Sequence, residues 1–226
     1  MKACVTDPLL VMEGVGVRFG AVTPFGNVSL TVRQGEIVAL DGPSGAGKTT
    51  VLRAAAGLLA PATGSVRRAP DAVCTTLFQD PRLLPWRTVR QNVLYGLGRR
   101  PTDAEAERAD LLLDRLGLTA AAALRPGEVS GGMRRRAALV RALVPAPDLL
   151  LADEPFAHLD PAWSDEVERL LTDTAESGTG VLLTAHQPER IRRLGTRVIA
   201  VGPGQRSVEA GELTAAGRDS TAEDGP

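Results

Sequence analysis

A glycine-rich stretch at residues 42–49, with the sequence GPSGAGKT, constrains the fold of this chain more than any other feature. It fits the pattern GxxxxGK followed by Ser or Thr, and it lies between the apolar segment EIVALD at 36–41 and a run of helix formers at 49–59. In such a strand–loop–helix unit, backbone N–H groups converge on phosphate oxygens in front of the positive end of the helix dipole. The sequence therefore predicts a phosphate-binding loop, against the alternative of a glycine-rich structural turn.

Lys48 and Thr49 give this loop its chemistry. The chain contains only two lysines, Lys2 and Lys48, so few ammonium groups are available for such a role. The Lys48 ammonium can reach the β- and γ-phosphate oxygens of a nucleotide, and the Thr49 hydroxyl can bind Mg²⁺. The loop alone does not separate a kinase, a GTPase and a transport ATPase. The other loop residues predicted to contact the nucleotide are Gly42, Ser44, Gly45, Ala46, Gly47 and Thr50.

Predicted strands and helices alternate along the chain. Apolar runs bounded by glycine and proline predict strands at 28–33, 36–41, 73–78, 148–153 and 179–185. Helix formers and helical apolar spacing predict helices at 49–59, 103–117, 161–177 and in the segment that follows Ser130. This order predicts an α/β fold with a largely parallel sheet, in which ligands bind at the carboxyl ends of the strands.

Length and charge exclude several classes of protein. At about 150 residues per domain, the 226 residues fit one soluble domain with at most a subdomain. The 26 basic and 27 acidic residues balance, so the chain lacks the positive excess of a nucleic-acid-binding protein. The longest uncharged stretch, residues 19–32, is too short to span a bilayer, and the N-terminal segment lacks the apolar core of a secretory signal. We therefore expect a cytosolic protein.

Two cysteines, Cys4 and Cys74, have neither CxxC spacing nor a histidine partner. We interpret them as reduced, incidental thiols rather than as metal ligands or a disulfide.

Two adjacent carboxylates follow the apolar segment LLLA at 149–152. At the carboxyl end of a strand, Asp153 can hold Mg²⁺, and Glu154 can accept a hydrogen bond from an attacking water as general base. Taken alone, the pair could also be a solvated turn. The sequence SGGM at 130–133 lies upstream of this pair and His186 lies downstream of it.

Together these motifs resemble the ATP-binding cassette of ABC transporters over roughly residues 9–205, and they occur in the order of that family. The resemblance implies a P-loop fold with a largely parallel core sheet, a small antiparallel β part and a helical subdomain at about 80–135. We expect a single domain at 1–210 and a disordered tail at 211–226.

Several residues match functional positions of the family. Phe19 resembles the aromatic residue that stacks on adenine, although it could also be a plain core side chain. Gln79 resembles the glutamine that senses Mg²⁺ and the γ-phosphate, Asp160 resembles the loop residue between two cassettes, and His186 resembles the histidine that contacts the γ-phosphate. The resemblance thus implies the catalytic residues Glu154, His186 and Gln79, and the Mg²⁺ ligands Thr49, Gln79 and Asp153.

The SGGM segment predicts an anion site. Ser130 occupies an N-cap position, and Gly131 and Gly132 leave the first N–H groups of the following helix uncovered. In the family this segment faces the γ-phosphate that is bound to the opposite subunit. The resemblance therefore implies a head-to-tail dimer around two ATP molecules, which closes on ATP and opens after hydrolysis.

The chain departs from the family pattern at several positions. Met133 replaces a common glutamine, and Gln187 stands where an acidic residue often follows the histidine. We interpret the arginine run at 134–136 as a solvated helix face, in which only Arg136 matches a recurrent family residue. We expect His158 to be a surface residue of its loop. These differences leave ATP hydrolysis as the expected activity.

The stretch at 79–93 is similar to that of cassettes serving nitrate, sulfonate and taurine importers. Trp86 and Leu83 suit a surface that receives a short helix of a membrane subunit, or they pack inside the helical subdomain. The expected function is an ATPase subunit on the inner face of the cell membrane that drives a permease and imports a small anion delivered by a solute-binding protein. The alternatives are a soluble ABC ATPase acting on nucleic acid or ribosomes, and a small-molecule kinase.

Overall fold

The computed structural model describes residues 8–20, 22–185, 188–194, 197–202 and 209–210. Its strands are β1 (Leu10–Phe19), β2 (Val22–Val32), β3 (Ile37–Asp41), β4 (Thr63–Arg68), β5 (Cys74–Leu77), β6 (Leu149–Asp153), β7 (Gly180–Thr184), β8 (Arg197–Ala200) and β9 (Glu209–Ala210). Its helices are α1 (Lys48–Ala55), α2 (Val89–Tyr95), α3 (Asp103–Arg115), α4 (Gly131–Leu143), α5 (Pro161–Glu176) and α6 (Pro188–Arg193). Short 3₁₀ turns lie at Thr119–Ala121 and Pro126–Glu128.

The strands form two sheets. The larger sheet has the order β5-β6-β7-β3-β8-β9, in which β5 to β8 run parallel and β9 pairs antiparallel with β8. The smaller sheet is antiparallel and has the order β2-β1-β4. The predicted α/β fold with a parallel core and a small antiparallel part is confirmed.

The apolar strands of the parallel sheet bury both of their faces. In β6, Leu150 and Ala152 pack with α4 and α5, whereas Leu149 and Leu151 pack with α1 and the antiparallel sheet. Successive side chains of a strand point to opposite faces, so an uninterrupted apolar run is what a sheet covered on both sides requires. Because β3, β6 and β7 are parallel neighbours, their polar end residues meet at one edge of the sheet.

Helices α2, α3 and α4 pack together between β5 and β6 in the chain. Thr88 and Gln91 form a reciprocal capping box at the start of α2, and Thr102 and Glu105 form another at the start of α3. Helix α4 runs past the predicted subdomain boundary at residue 135. That boundary stays a prediction, and the predicted tail at 211–226 lies outside the described residues.

A buried asparagine organises the proline-containing loop after β5. Asn92 is fully buried; its side-chain oxygen accepts from the Leu84 amide at 2.6 Å, and its amide nitrogen donates to the carbonyl oxygens of Leu84, Arg87 and Thr88. Trp86, at the tip of this loop, remains 68% exposed.

Trp86 and Leu83 therefore differ in their surroundings. Leu83 packs against the core of the helical part, whereas the Trp86 side chain faces solvent. Packing inside the helical part therefore applies to Leu83 and not to Trp86, and a docking role for Trp86 stays a prediction. Within the described ranges, no helix combines the length and the apolar character needed to cross a membrane.

Candidate functional site

The loop at 42–49 wraps around the start of α1. Gly47 precedes the helix with φ 91°, and within the described chain no side chain caps the first N–H groups. Those N–H groups are therefore free to meet an anion. Gly42 has φ 151°, and a Cβ atom there would lie 2.2 Å from the carbonyl oxygen of Val201, so the approach of the segment after β8 requires glycine.

Lys48 is folded back onto this loop. Its side chain is 6% exposed, and Nζ donates to the carbonyl oxygens of Gly42 at 2.6 Å and Pro43 at 3.0 Å. The ammonium group is thus held in the hollow of the loop, where phosphate oxygens would lie.

The loop lines one wall of a cavity of about 280 Å³. The described lining residues are Ser44, Gly45, Ala46, Gly47, Lys48, Thr49, Thr50, Gln79 and Glu154. The structure therefore brings the loop together with two side chains that lie far away in the sequence.

The carboxylate of Asp153 lies beneath this cavity. Its Oδ1 accepts hydrogen bonds from the hydroxyls of Thr49 at 3.2 Å and Thr184 at 2.9 Å, and the residue is 5% exposed. A hydroxyl and a carboxylate oxygen in contact form a donor pair that suits Mg²⁺, which takes oxygen ligands and needs few from the protein. Thr49 and Asp153 thus fit the predicted metal site.

Thr184 is a site residue that the sequence did not reveal. It is fully buried at the end of β7, directly paired with Asp153 in the parallel register, and its hydroxyl oxygen accepts from the Glu154 amide at 2.8 Å. Glu154 itself has a left-handed backbone with φ 51°, a conformation that costs a non-glycine residue about 1 kcal/mol. Thr184 therefore fixes both the carboxylate of Asp153 and the backbone turn that directs Glu154.

The SGGM segment begins helix α4, and its first two residues are exposed at the surface. The Ser130 hydroxyl accepts from the Met133 amide at 3.2 Å, so Ser130 is the predicted N-cap. Ser130 and Gly131 are exposed, and a Cβ atom on Gly132 would lie 3.5 Å from the carbonyl oxygen of His158. None of these glycine and serine residues is among the described residues that line the cavity.

Asp160 is the N-cap of α5. Its Oδ1 accepts from the Trp163 amide at 3.0 Å, and Pro161 occupies the first turn. Asp160 and His158 are both exposed, as predicted for His158.

Comparison with known proteins identifies the family. The model of the family described as ABC transporter matches residues 25–157, more than half of the chain. The chain belongs to the ABC transporter family. The resemblance inferred from the motifs is thereby confirmed.

Two relatives of this ABC protein illustrate its similarity. The aliphatic sulfonates import ATP-binding protein SsuB 1 of Burkholderia lata is 39% identical over 210 residues, which cover 91% of the chain and 65% of the relative. The protein of the same name from Nocardia farcinica is 41% identical over 210 residues, which cover 90% of the chain and 82% of the relative. The chain thus spans slightly less than two thirds of the length of the Burkholderia protein.

Solved structures share the fold of this ABC protein. A dimeric ATP-binding cassette in a post-hydrolysis state bound to ADP and Pi has a TM-score of 0.78 and 28% identity, covering 88% of this chain and 98% of that chain. The ATP-binding subunit of an ABC transporter has a TM-score of 0.78 and 25% identity, covering 86% of each chain.

The structure of this ABC protein describes Phe19 but not His186. Phe19 ends β1 and is 50% exposed, so its interpretation as a plain core side chain is wrong. It is not among the described residues that line the cavity. His186 and Gln187 lie outside the described residues, as does Cys4.

Cys74 forms no disulfide, and burial raises the pKa of its thiol, while Arg68 acts against the rise.

The interpretation of the arginine run as a solvated face is wrong. Arg135 and Arg136 are only 4% and 7% exposed. Arg136 donates to the carbonyl oxygen of Leu116 at 2.5 Å and lies 3.8 Å from the ring centroid of Trp163. These guanidinium groups are buried because backbone carbonyl groups and an aromatic ring in the ABC fold replace their contacts with water. Gly117 fits here because a Cβ atom would overlap the Trp163 ring.

Proposed function

We propose that this chain is the ATP-hydrolysing subunit of an ABC importer and that two copies enclose two ATP molecules. The cavity that unites the phosphate loop with Gln79 and Glu154 is the observation that carries this proposal. Its backbone N–H groups and the Lys48 ammonium can bind the phosphates. The acidic side chain of Glu154 lines the same cavity, near the position that the γ-phosphate would take.

The residues of the site take distinct roles. Lys48 binds the β- and γ-phosphates, while Thr49, Gln79 and Asp153 hold Mg²⁺, which neutralises phosphate charge when it is bound. Glu154 accepts a proton from the attacking water. Its backbone amide donates to the Thr184 hydroxyl, and this hydrogen bond helps to direct the Glu154 side chain. His186 contacts the γ-phosphate, and Phe19 stacks on adenine.

The second copy completes each site. Ser130, Gly131 and Gly132 present uncovered helix N–H groups at the surface, away from the cavity of their own chain. They bind the γ-phosphate held by the other copy, and Asp160 lies in the loop between the copies. The dimeric state of the solved cassette bound to ADP and Pi supports this arrangement.

The importer would carry a small anion, and the names of the sulfonate-import relatives favour an aliphatic sulfonate, a class that includes taurine, over nitrate. The chain docks on permease subunits at the inner face of the membrane, with a solute-binding protein outside and no nucleic acid in the complex. The exposed indole of Trp86, in a loop held by buried hydrogen bonds, supports a docking role for the segment after Gln79.

ATP labelled in its γ-phosphate tests the proposed reaction. The purified chain with ATP and Mg²⁺ should release labelled free phosphate and form no labelled acceptor. A labelled small molecule would instead indicate a kinase, and an absence of both products would overturn the proposal.

Replacing Thr184 by valine should reduce ATP hydrolysis about tenfold and lower the free energy of unfolding by about 1–3 kcal/mol. The variant leaves the Glu154 amide without its acceptor and removes a donor to Asp153. Steady-state phosphate release and urea unfolding measure the two effects.

Thr179→Val is the matched control for this variant. It removes a buried hydrogen bond from Thr179 to the carbonyl oxygen of Pro147 at the opposite end of β7. It should lower stability similarly and leave the hydrolysis rate unchanged. Equal loss of activity in both variants would contradict a specific role for Thr184.

A further inference from the structure

Arg135 joins helix α4 to the ends of two strands. One amino group of its guanidinium donates to the backbone carbonyl oxygens of Asp153, at 3.1 Å, and Glu154. The other amino group donates to the backbone carbonyl oxygen of Gln79. A single side chain thus contacts the main chain of all three residues at the base of the cavity.

The burial of this charge is costly. Burial lowers the pKa of the Arg135 guanidinium from its usual value, and the charges of Glu154, Asp153 and Asp80 oppose that shift. Desolvating a cation costs several kcal/mol, which its polar partners offset only in part, so a buried charge is weak evidence for a stabilising role. Stability alone therefore gives no reason for an arginine at this position.

The position of Arg135 on α4 suggests what the charge does. Ser130, the N-cap of α4, lies five residues before Arg135, which is on the second turn of the same helix. A shift of this helix start would carry the backbone of Arg135 with it, and the guanidinium donates to the carbonyl oxygens of Gln79 and Glu154. The same helix thus reaches both the exposed anion site and the cavity.

We propose that Arg135 is a positioning residue that couples the two nucleotide sites of the dimer. Contact of Ser130 with the γ-phosphate in the partner's cavity sets the position of α4, and Arg135 transmits that position to the general base and to Gln79 of its own cavity. This role rests on the function proposed above, because it requires Ser130 and Glu154 to act on different ATP molecules.

The test compares Arg135→Met, which keeps most of the volume but removes the donors, with Arg135→Lys, which keeps the charge and part of the hydrogen bonding. Phosphate release is measured across ATP concentrations on the full chain. The methionine variant should lower kcat about tenfold or more with KM within about twofold, and lysine should recover part of the loss. Thermal unfolding should show that both variants fold, with the methionine variant less stable because three carbonyl oxygens lose their donor.

Arg141→Met is the matched control. Arg141 lies on the same helix and donates to two backbone carbonyl oxygens, of Pro81 at 2.7 Å and Arg82 at 2.8 Å, but to no strand end in the described part of the chain. Its kcat should stay within about twofold of the unmodified chain.

The coupling itself is measured without hydrolysis. In the Glu154→Gln background, adding Arg135→Met should raise the ATP concentration for half-maximal dimer formation about tenfold, while ATP binding to the monomer is unchanged. This readout would not move if Arg135 only supported the fold.

The results for these variants separate the role proposed for Arg135 from the proposed ATPase function. An unchanged kcat in Arg135→Met, or an equal loss in Arg141→Met, overturns the role of Arg135 and leaves the proposed ATPase intact. If the methionine variant does not fold, Arg135→Gln replaces it with the same expected fall in kcat, and failure of both to fold makes the residue structural and overturns the proposal. An unmodified chain that neither hydrolyses ATP nor dimerises overturns the proposed function, and the coupling with it.

Discussion

Replacement of Lys48 by alanine is expected to lower the affinity for ATP about 10- to 100-fold. The Lys48 ammonium lies in the hollow of the phosphate loop, and hydrogen bonds that involve a charged group contribute about 1.5–3 kcal/mol. Calorimetric titration with ATP and Mg²⁺ measures the loss directly.

Arg53→Ala is the control for the loss of positive charge. Arg53 lies in the last turn of the same helix and is exposed. Its removal should leave ATP affinity within about twofold, because an exposed charge beyond the first turn is screened by salt. Unchanged ATP affinity in Lys48→Ala would show that the loop at 42–49 does not bind the phosphates.

Replacement of Glu154 by glutamine should reduce ATP hydrolysis by about 10² to 10⁴-fold, because a positioned general base contributes that much. ATP affinity should be retained, since the side chain keeps its shape and the phosphate loop is untouched. In the proposed cycle closure requires the γ-phosphate and opening requires its removal, so the variant should accumulate as a dimer with ATP and Mg²⁺. Light scattering measures the shift in mass from monomer to dimer.

Glu176→Gln serves as the control for this variant. Glu176 is the exposed last residue of α5. The Glu176→Gln variant should hydrolyse ATP at the rate of the unmodified chain and should not accumulate as a dimer. A Glu154→Gln chain that stays monomeric with saturating ATP would contradict the sandwich mechanism.

Local pattern predicted the parts of the site that depend on local structure. The loop at 42–49 follows from glycine spacing between a strand and a helix. The place of Glu154 at the cavity follows because the carboxyl ends of parallel strands share one edge. The cap at Ser130 follows because its hydroxyl needs only the amide three residues later.

The features that the sequence did not reveal depend on neighbours distant in the chain. Thr184 contacts Asp153 only because β6 and β7 are adjacent in the sheet. The apolar pattern of the sequence does not predict the order of the strands. Arg135 looks like part of a solvated face, because charge favours exposure unless distant groups compensate it. Here the carbonyl oxygens at the ends of separate strands supply that compensation.

We propose that each ATP molecule lies between the phosphate loop of one copy and the start of α4 in the other. A crystal structure of Glu154→Gln with ATP and Mg²⁺ tests it through the distance between Ser130 Oγ and the nearest γ-phosphate oxygen. We expect a hydrogen bond from Ser130 to a nucleotide whose phosphates contact Lys48 of the second copy. A structure in which Ser130 lies far from every γ-phosphate, in any assembly of copies, would contradict it.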